Sequence, residues 1–143
     1  MIDIKELRIG NYVLAFNINY NANEVRRVFK INDKSASLEQ LEICIVDGQL
    51  RKITIDKDGR FVFIANPCVE SCMIPIPITE KILLKCGFKK KPWGSTTVYY
   101  QNKIEIDAHF CLYGVDYNIQ LKSLHQLQNL YFTLTGKELK VNL

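Results

Sequence analysis

The histidines, cysteines and paired carboxylates bound the reactions this chain can run. His109 and His125 are its only histidines; its cysteines are Cys44, Cys68, Cys72, Cys86 and Cys111. A nucleophile needs a base and an orienting group beside it. His125 follows Leu124 at the start of an amphipathic run, where the helix dipole disfavours the charged imidazole. It is read either as a neutral hydrogen-bonding group in a binding pocket or as a core-bordering residue bonded to a loop. Cys68 and Cys72 lack two-residue ligand spacing and a second ligand pair. His109 and Cys111 alternate, as a packed pair on a strand would. Glu105 and Asp107 share one strand face opposite Ile104 and Ile106, the pattern of a half-solvated strand. Every glycine is isolated, so no phosphate-cradling loop exists. No catalytic residue, metal or cofactor is expected, and the chain is read as a binder, not an enzyme.

The best binding candidate lies in the second half. Residues 1–75 carry ten basic and ten acidic side chains, whereas residues 76–143 carry nine lysines and five acids. The whole net charge of +4 therefore falls after the midpoint. Lys89-Lys90-Lys91-Pro92-Trp93-Gly94 reads as a loop, with Tyr99 and Tyr100 on the strand that follows. Lysines attract phosphates and aromatic faces stack bases. The competing reading is a solvated charge run with Trp93 folded back as a lid. Arg26 and Arg27 could extend a basic surface, but neighbours on a strand point to opposite faces.

The elements that must position these groups form an α+β chain. Leu7–Phe16 reads as a strand bent at Gly10, and Val25–Ile31, Leu41–Val46, Leu50–Ile55 and Arg60–Ile64 as further strands. Asp47-Gly48 and Asp58-Gly59 are hairpin signals between them. Together they predict a small antiparallel barrel of SH3-like form over residues 1–74. Met73–Ile78, with alternate prolines, reads as an extended connector. Residues 75–143 then form a helix–meander–helix–strand unit, packed with the barrel as one compact body. Thr79 caps a helix over Glu80–Cys86, closed by Gly87. Strands follow over Thr97–Tyr100, Ile104–Ile106, Phe110–Tyr113 and Tyr117–Leu121, with Gly114 turning the last two. Ser123 with Gln126 fits a capping box. Leu124, Leu127, Tyr131 and Leu134 form the apolar stripe of the last helix, flanked by Leu130 and ended by Gly136. Leu139, Val141 and Leu143 alternate as a short edge strand, a candidate edge for self-association.

No apolar run approaches the length needed to span a bilayer, and the N-terminus is not signal-like, so the expected location is the cytoplasm. An odd cysteine count implies free thiols.

Three stretches carry a resemblance. They are Ile4–Val13 (IKELRIGNYV), Pro75–Glu80 (PIPITE) and Leu124–Gly136 (LHQLQNLYFTLTG). Together they resemble a family of small uncharacterised proteins from Bacteroides-type bacteria, their prophages and phages. The resemblance covers both ends and the hinge, but not the middle, and it carries no catalytic residue. It implies a mobile-element origin and a role in the host cytoplasm, such as inhibiting host defence. The expected function is thus non-enzymatic binding of a host protein or a small anionic ligand. The alternative is a nucleic-acid-binding module using Lys89–Trp93. On either reading the binding residues are Lys89, Lys90, Lys91, Trp93, Tyr99, Tyr100 and His125.

Overall fold

A computed structural model describes residues 2–17, 22–32, 35–46, 49–52, 67–68, 73–113 and 119–143. The chain is α+β and divides into two compact units, Met1–Ile76 and Pro77–Leu143. No helix among the described residues is long and apolar enough to cross a membrane.

The N-terminal unit opens on a 3-10 helix, Ile4–Glu6, capped by Asp3, whose Oδ1 accepts from the Lys5 amide at 2.8 Å. Leu7–Phe16 is not one bent strand. The chain turns at Ile9-Gly10, and the Asn11 side chain accepts from the Arg8 amide at 2.7 Å. Gly10 has φ +96°, a left-handed conformation that glycine adopts without a Cβ penalty. The Gly10 amide donates to the Val28 carbonyl at 2.7 Å, and the ladder continues from Tyr12.

Six strands build the sheet described here: β1 (Tyr12–Asn17), β2 (Ala22–Asn32), β3 (Ser35–Val46), β4 (Gln49–Lys52), β5 (Pro67–Cys68) and β6 (Met73–Ile74). The path runs β4-β3-β2-β1-β6, with β5 also on β3, and every pairing is antiparallel. Register breaks at Val25/Arg26 and Val28/Lys30 mark where the long β2–β3 ribbon bends. Val13 and Ala15 alternate inward on β1 and join Val28, Ala36, Leu38 and Met73 in the core. Ile2, Ile4 and Leu7 from the N-terminal turn close that cluster.

Among the described residues this path is open, so the closed barrel expected for residues 1–74 is corrected to an open sheet. Pro75 closes the C-terminal end of β6 at Ile74, because a proline cannot donate to the ladder. Met73 and Ile74 are themselves paired with β1, so the extended connector starts later than the alternate prolines suggest. Asp47-Gly48, Ile53–Ile55, Asp58-Gly59 and Arg60–Ile64 lie outside the described residues, as do Gly114 and Tyr117.

In the C-terminal unit, Thr79 caps α1 (Glu80–Lys85) by accepting from the Ile82 amide at 3.2 Å. A three-stranded antiparallel sheet follows, β7 (Lys89–Trp93), β8 (Thr96–Gln101) and β9 (Ile104–Ile106), in the order β7-β8-β9. The lysine run is therefore a strand and not a loop. Gly94, at φ +60°, and Ser95 make a two-residue turn that folds Trp93 onto Thr96, the connection length hairpins favour. Pro92 is tolerated because β7 is the edge strand of its sheet.

α2 (Leu124–Thr135) ends on Gly136 at φ +68°. Its buried face is Leu124, His125, Leu127, Gln128 and Tyr131. Leu134 is 55% exposed, so the expected leucine stripe stops one turn early and two polar residues complete the buried side. The capping box does not form as expected. Gln126 Oε1 accepts from the Lys122 amide, one residue ahead of the cap, while the Ser123 hydroxyl faces His125. Phe110–Tyr113 makes single bridges in place of a strand. Leu139–Leu143 pairs with no strand among the described residues; the Asn142 amide donates to the carbonyl of Lys85 at 3.0 Å.

Candidate binding face on the C-terminal sheet

Residues opposite one another on antiparallel strands share a face. Lys89 lies opposite Tyr100, and Tyr100 opposite Glu105. Lys91 and Trp93 follow Lys89 at two-residue steps, so these five side chains share one side of the sheet. Lys90, Tyr99 and Ile106 line up on the other side.

The first side is largely exposed. The only tryptophan, Trp93, is 53% exposed and Tyr100 is 37% exposed. The Tyr113 amide donates to the Glu105 carbonyl at 2.7 Å, which ties Tyr113 to β9. Its ring meets Trp93 edge-on, with centroids 6.2 Å apart and planes at 63°. The Lys91 ammonium sits 5.1 Å from the Tyr100 ring centroid and 5.7 Å from that of Trp93. Both separations are within cation–π range. The same ammonium donates to Glu105 Oε1 at 2.7 Å. The result is a cation held among aromatic rings, with one carboxylate engaged on it.

The opposite side does structural work. Tyr99 is buried and its hydroxyl donates to Glu80 Oε2 at 2.6 Å, while Lys90 Nζ lies 2.9 Å from Glu80 Oε1. The Tyr99 bond, then Lys90, hold the Glu80 carboxyl below its ordinary value of 4.5. The carboxylate, then burial, push the Tyr99 phenol from 10.0 up to about 12. Glu80, with a lowered folded value, contributes stability above pH 4.5 that is lost as pH falls through that lowered value. Tyr99, with a raised folded value, contributes stability fully present below pH 10.0 and lost as pH rises through about 12, by the same linkage. The stability gap between the wild type and Tyr99→Phe is thus expected to be widest near neutrality and to narrow in acid. Denaturation at a series of pH values checks it; a gap that stays constant into acid contradicts the Glu80 assignment.

Of the residues singled out from sequence, Lys89, Lys91, Trp93 and Tyr100 come together on one face. Lys90 and Tyr99 belong to the other. His125 joins neither: it is 2% exposed on α2, with Ser123 Oγ 3.0 Å from its Nδ1. Ser123 is equally buried, so this serine–histidine contact has no access to substrate. Glu105 and Asp107 do not act together. Asp107 Oδ1 instead accepts from the His109 and Cys111 amides at 2.8 and 2.9 Å, fixing the loop beyond β9. Burial pushes the Cys86 thiol up to about 12, far from a nucleophilic thiolate. No group of three or more His, Cys, Asp or Glu side chains able to hold a metal occurs among the described residues.

Sequence reasoning missed Tyr113 and the ion pair of Glu105. Tyr113 follows a left-handed Phe110, at φ +61°. Such a conformation is uncommon outside glycine, and no periodicity reports where the loop delivers its side chains. Glu105 is two positions from Asp107, which drew attention to the wrong partner. Comparisons with family models, curated proteins and solved structures return no match.

Proposed function

We propose that the chain is a non-enzymatic accessory protein of a phage or mobile element that binds a host protein through the β7–β8 face, acting in the host cytoplasm to inhibit a host defence. One observation carries the binding part of this reading: Trp93 and Tyr100 stand exposed around Lys91 on one sheet face, with the exposed Tyr113 ring edge-on to Trp93. Tryptophan and tyrosine dominate protein-interface hot spots, and a protein surface seldom clusters them without a partner. The sequence resemblance to small phage and Bacteroides proteins supports the cellular setting. For the N-terminal unit we favour an SH3-like strand path, on the ground that β6 returns to pair with β1 after the β1–β4 meander, as the ends of small barrels do.

A second reading, a nucleic-acid-binding module, is favoured by the interleaving of lysines and aromatic rings on the same face. It is weakened because Lys90, on the opposite side of the sheet, is held by Glu80, which leaves a short basic track on this face.

The test is affinity capture from a Bacteroides-type lysate with wild type and Trp93→Ala in parallel. The expected result is a discrete protein retained by the wild type and reduced about tenfold or more by the variant, the effect of a hot-spot truncation. Equal capture by both would remove the face from the function. Capture of nucleic acid alone would favour the second reading.

A further inference from the structure

We propose that the β7–β8 face takes an acidic polypeptide segment, and that Glu105 occupies the partner carboxylate's place when the face is empty. This rests on the protein-binding reading above and names the chemistry of the partner. Charge complementarity is the first argument. On this face, among the described residues, Lys89 and Lys91 stand against one acid, Glu105. Lys89 is exposed and lies directly opposite Tyr100, beside Lys91. Among the described residues, Glu105 is the one acid within bonding distance of Lys91 on this face.

Lys91 is the second argument. Its ammonium is centred among the rings of Trp93 and Tyr100 and satisfied at 2.7 Å by a single carboxylate oxygen. A cation framed by aromatic rings suits a carboxylate that arrives with apolar neighbours, because the rings shed water around the new ion pair. The internal pair is part-buried but reached by water: the Lys91 and Glu105 side chains are 38% and 34% exposed. Solvent screening keeps the contribution of such a pair to stability modest. An incoming carboxylate can therefore displace Glu105 readily. Single-stranded nucleic acid fits less well. It needs a track of phosphate contacts, while Lys90 is turned to the opposite side and engaged by Glu80.

This predicts an unusual sign. Glu105→Gln removes the internal competitor, so it should tighten binding of an acidic probe, whereas Lys91→Gln should weaken it. The full-length protein is titrated with an oligoglutamate and, separately, with an oligothymidylate of equal charge, and Trp93 emission is followed. The expected result is a salt-sensitive response to oligoglutamate, tightened about threefold by Glu105→Gln and weakened about tenfold by Lys91→Gln. Far-ultraviolet dichroism of each variant separates loss of binding from loss of fold. Should either variant be misfolded, Lys89→Gln supplies the same test on an exposed side chain and must weaken binding. The proposal is overturned by no response to oligoglutamate in wild type and Glu105→Gln, by no effect of Glu105→Gln, or by tighter binding of oligothymidylate. Failure here alone leaves capture sensitive to Trp93→Ala; failure of the protein-binding reading abolishes that sensitivity.

Discussion

Replacing Arg26 with methionine is expected to destabilise the N-terminal unit by about 3 kcal/mol, the range for breaking a buried ion pair. Arg26 and Glu24 lie on β2 on either side of the register break at Val25/Arg26. Arg26 Nη2 donates to Glu24 Oε2 at 3.0 Å, and Nε reaches the same oxygen at 3.3 Å. The Glu24 side chain is 1% exposed and that of Arg26 only 16% exposed. Water reaches this site poorly, so removing Arg26 takes from a buried carboxylate the guanidinium that neutralises it, whatever further contacts Glu24 keeps. The double replacement Glu24→Met with Arg26→Met should recover most of the loss, because two apolar chains need no partner. Urea denaturation of the wild type, the single variant and the double variant measures the recovery. Equal stabilities for wild type and Arg26→Met would show that the pair is solvated in solution.

Leu127→Ala is the second large effect, at about 3 kcal/mol, from lost burial plus the cavity left behind. Leu127 is fully buried at the centre of α2, between Leu124 and Tyr131 on the same face. Leu134→Ala is the matched control on the same helix. Leu134 sits in the last turn and is 55% exposed. Its truncation should shift stability by no more than about 0.5 kcal/mol, as for an ordinary surface substitution. Thermal or urea denaturation distinguishes the two. A large loss at Leu134 would mean that something covers the C-terminal turn of α2.

Part of this contrast is legible in the sequence and part is not. Leucine spacing locates α2 and its caps but places Leu134 in the stripe. Periodicity weighs residues by polarity, and here two polar residues take buried positions. His125 finds Ser123 at 3.0 Å, and the buried residues of α2 end at Tyr131, with Leu134 exposed. Thr79 and Gly87 mark α1 correctly because caps are local. The lysine run reads as a loop for a comparable reason: strand propensity is set by pairing partners, and the charge and proline of Lys89–Trp93 mask the hairpin that Gly94-Ser95 closes. Strand alternation puts Arg26 and Arg27 on opposite faces, and they differ accordingly, Arg26 half-buried and Arg27 exposed. The burial of Glu24 leaves no sequence signal, since a lone acid on a strand normally points to solvent. Of the candidate face, Lys89, Lys91, Trp93 and Tyr100 are recognisable; Tyr113 and the Glu105 carboxylate on Lys91 need the folded chain.

The strand order gives Lys89-Lys90-Lys91-Pro92 a role that is independent of any partner. β7 ends its sheet, and sheet ends recruit copies of themselves by open ladder groups. Here that boundary carries three adjacent positive charges and an imino acid that lacks a ladder donor. Two copies brought edge to edge would stack like charge against like charge. Charge and proline along this edge thus oppose cross-β growth beside the exposed rings of Trp93 and Tyr100.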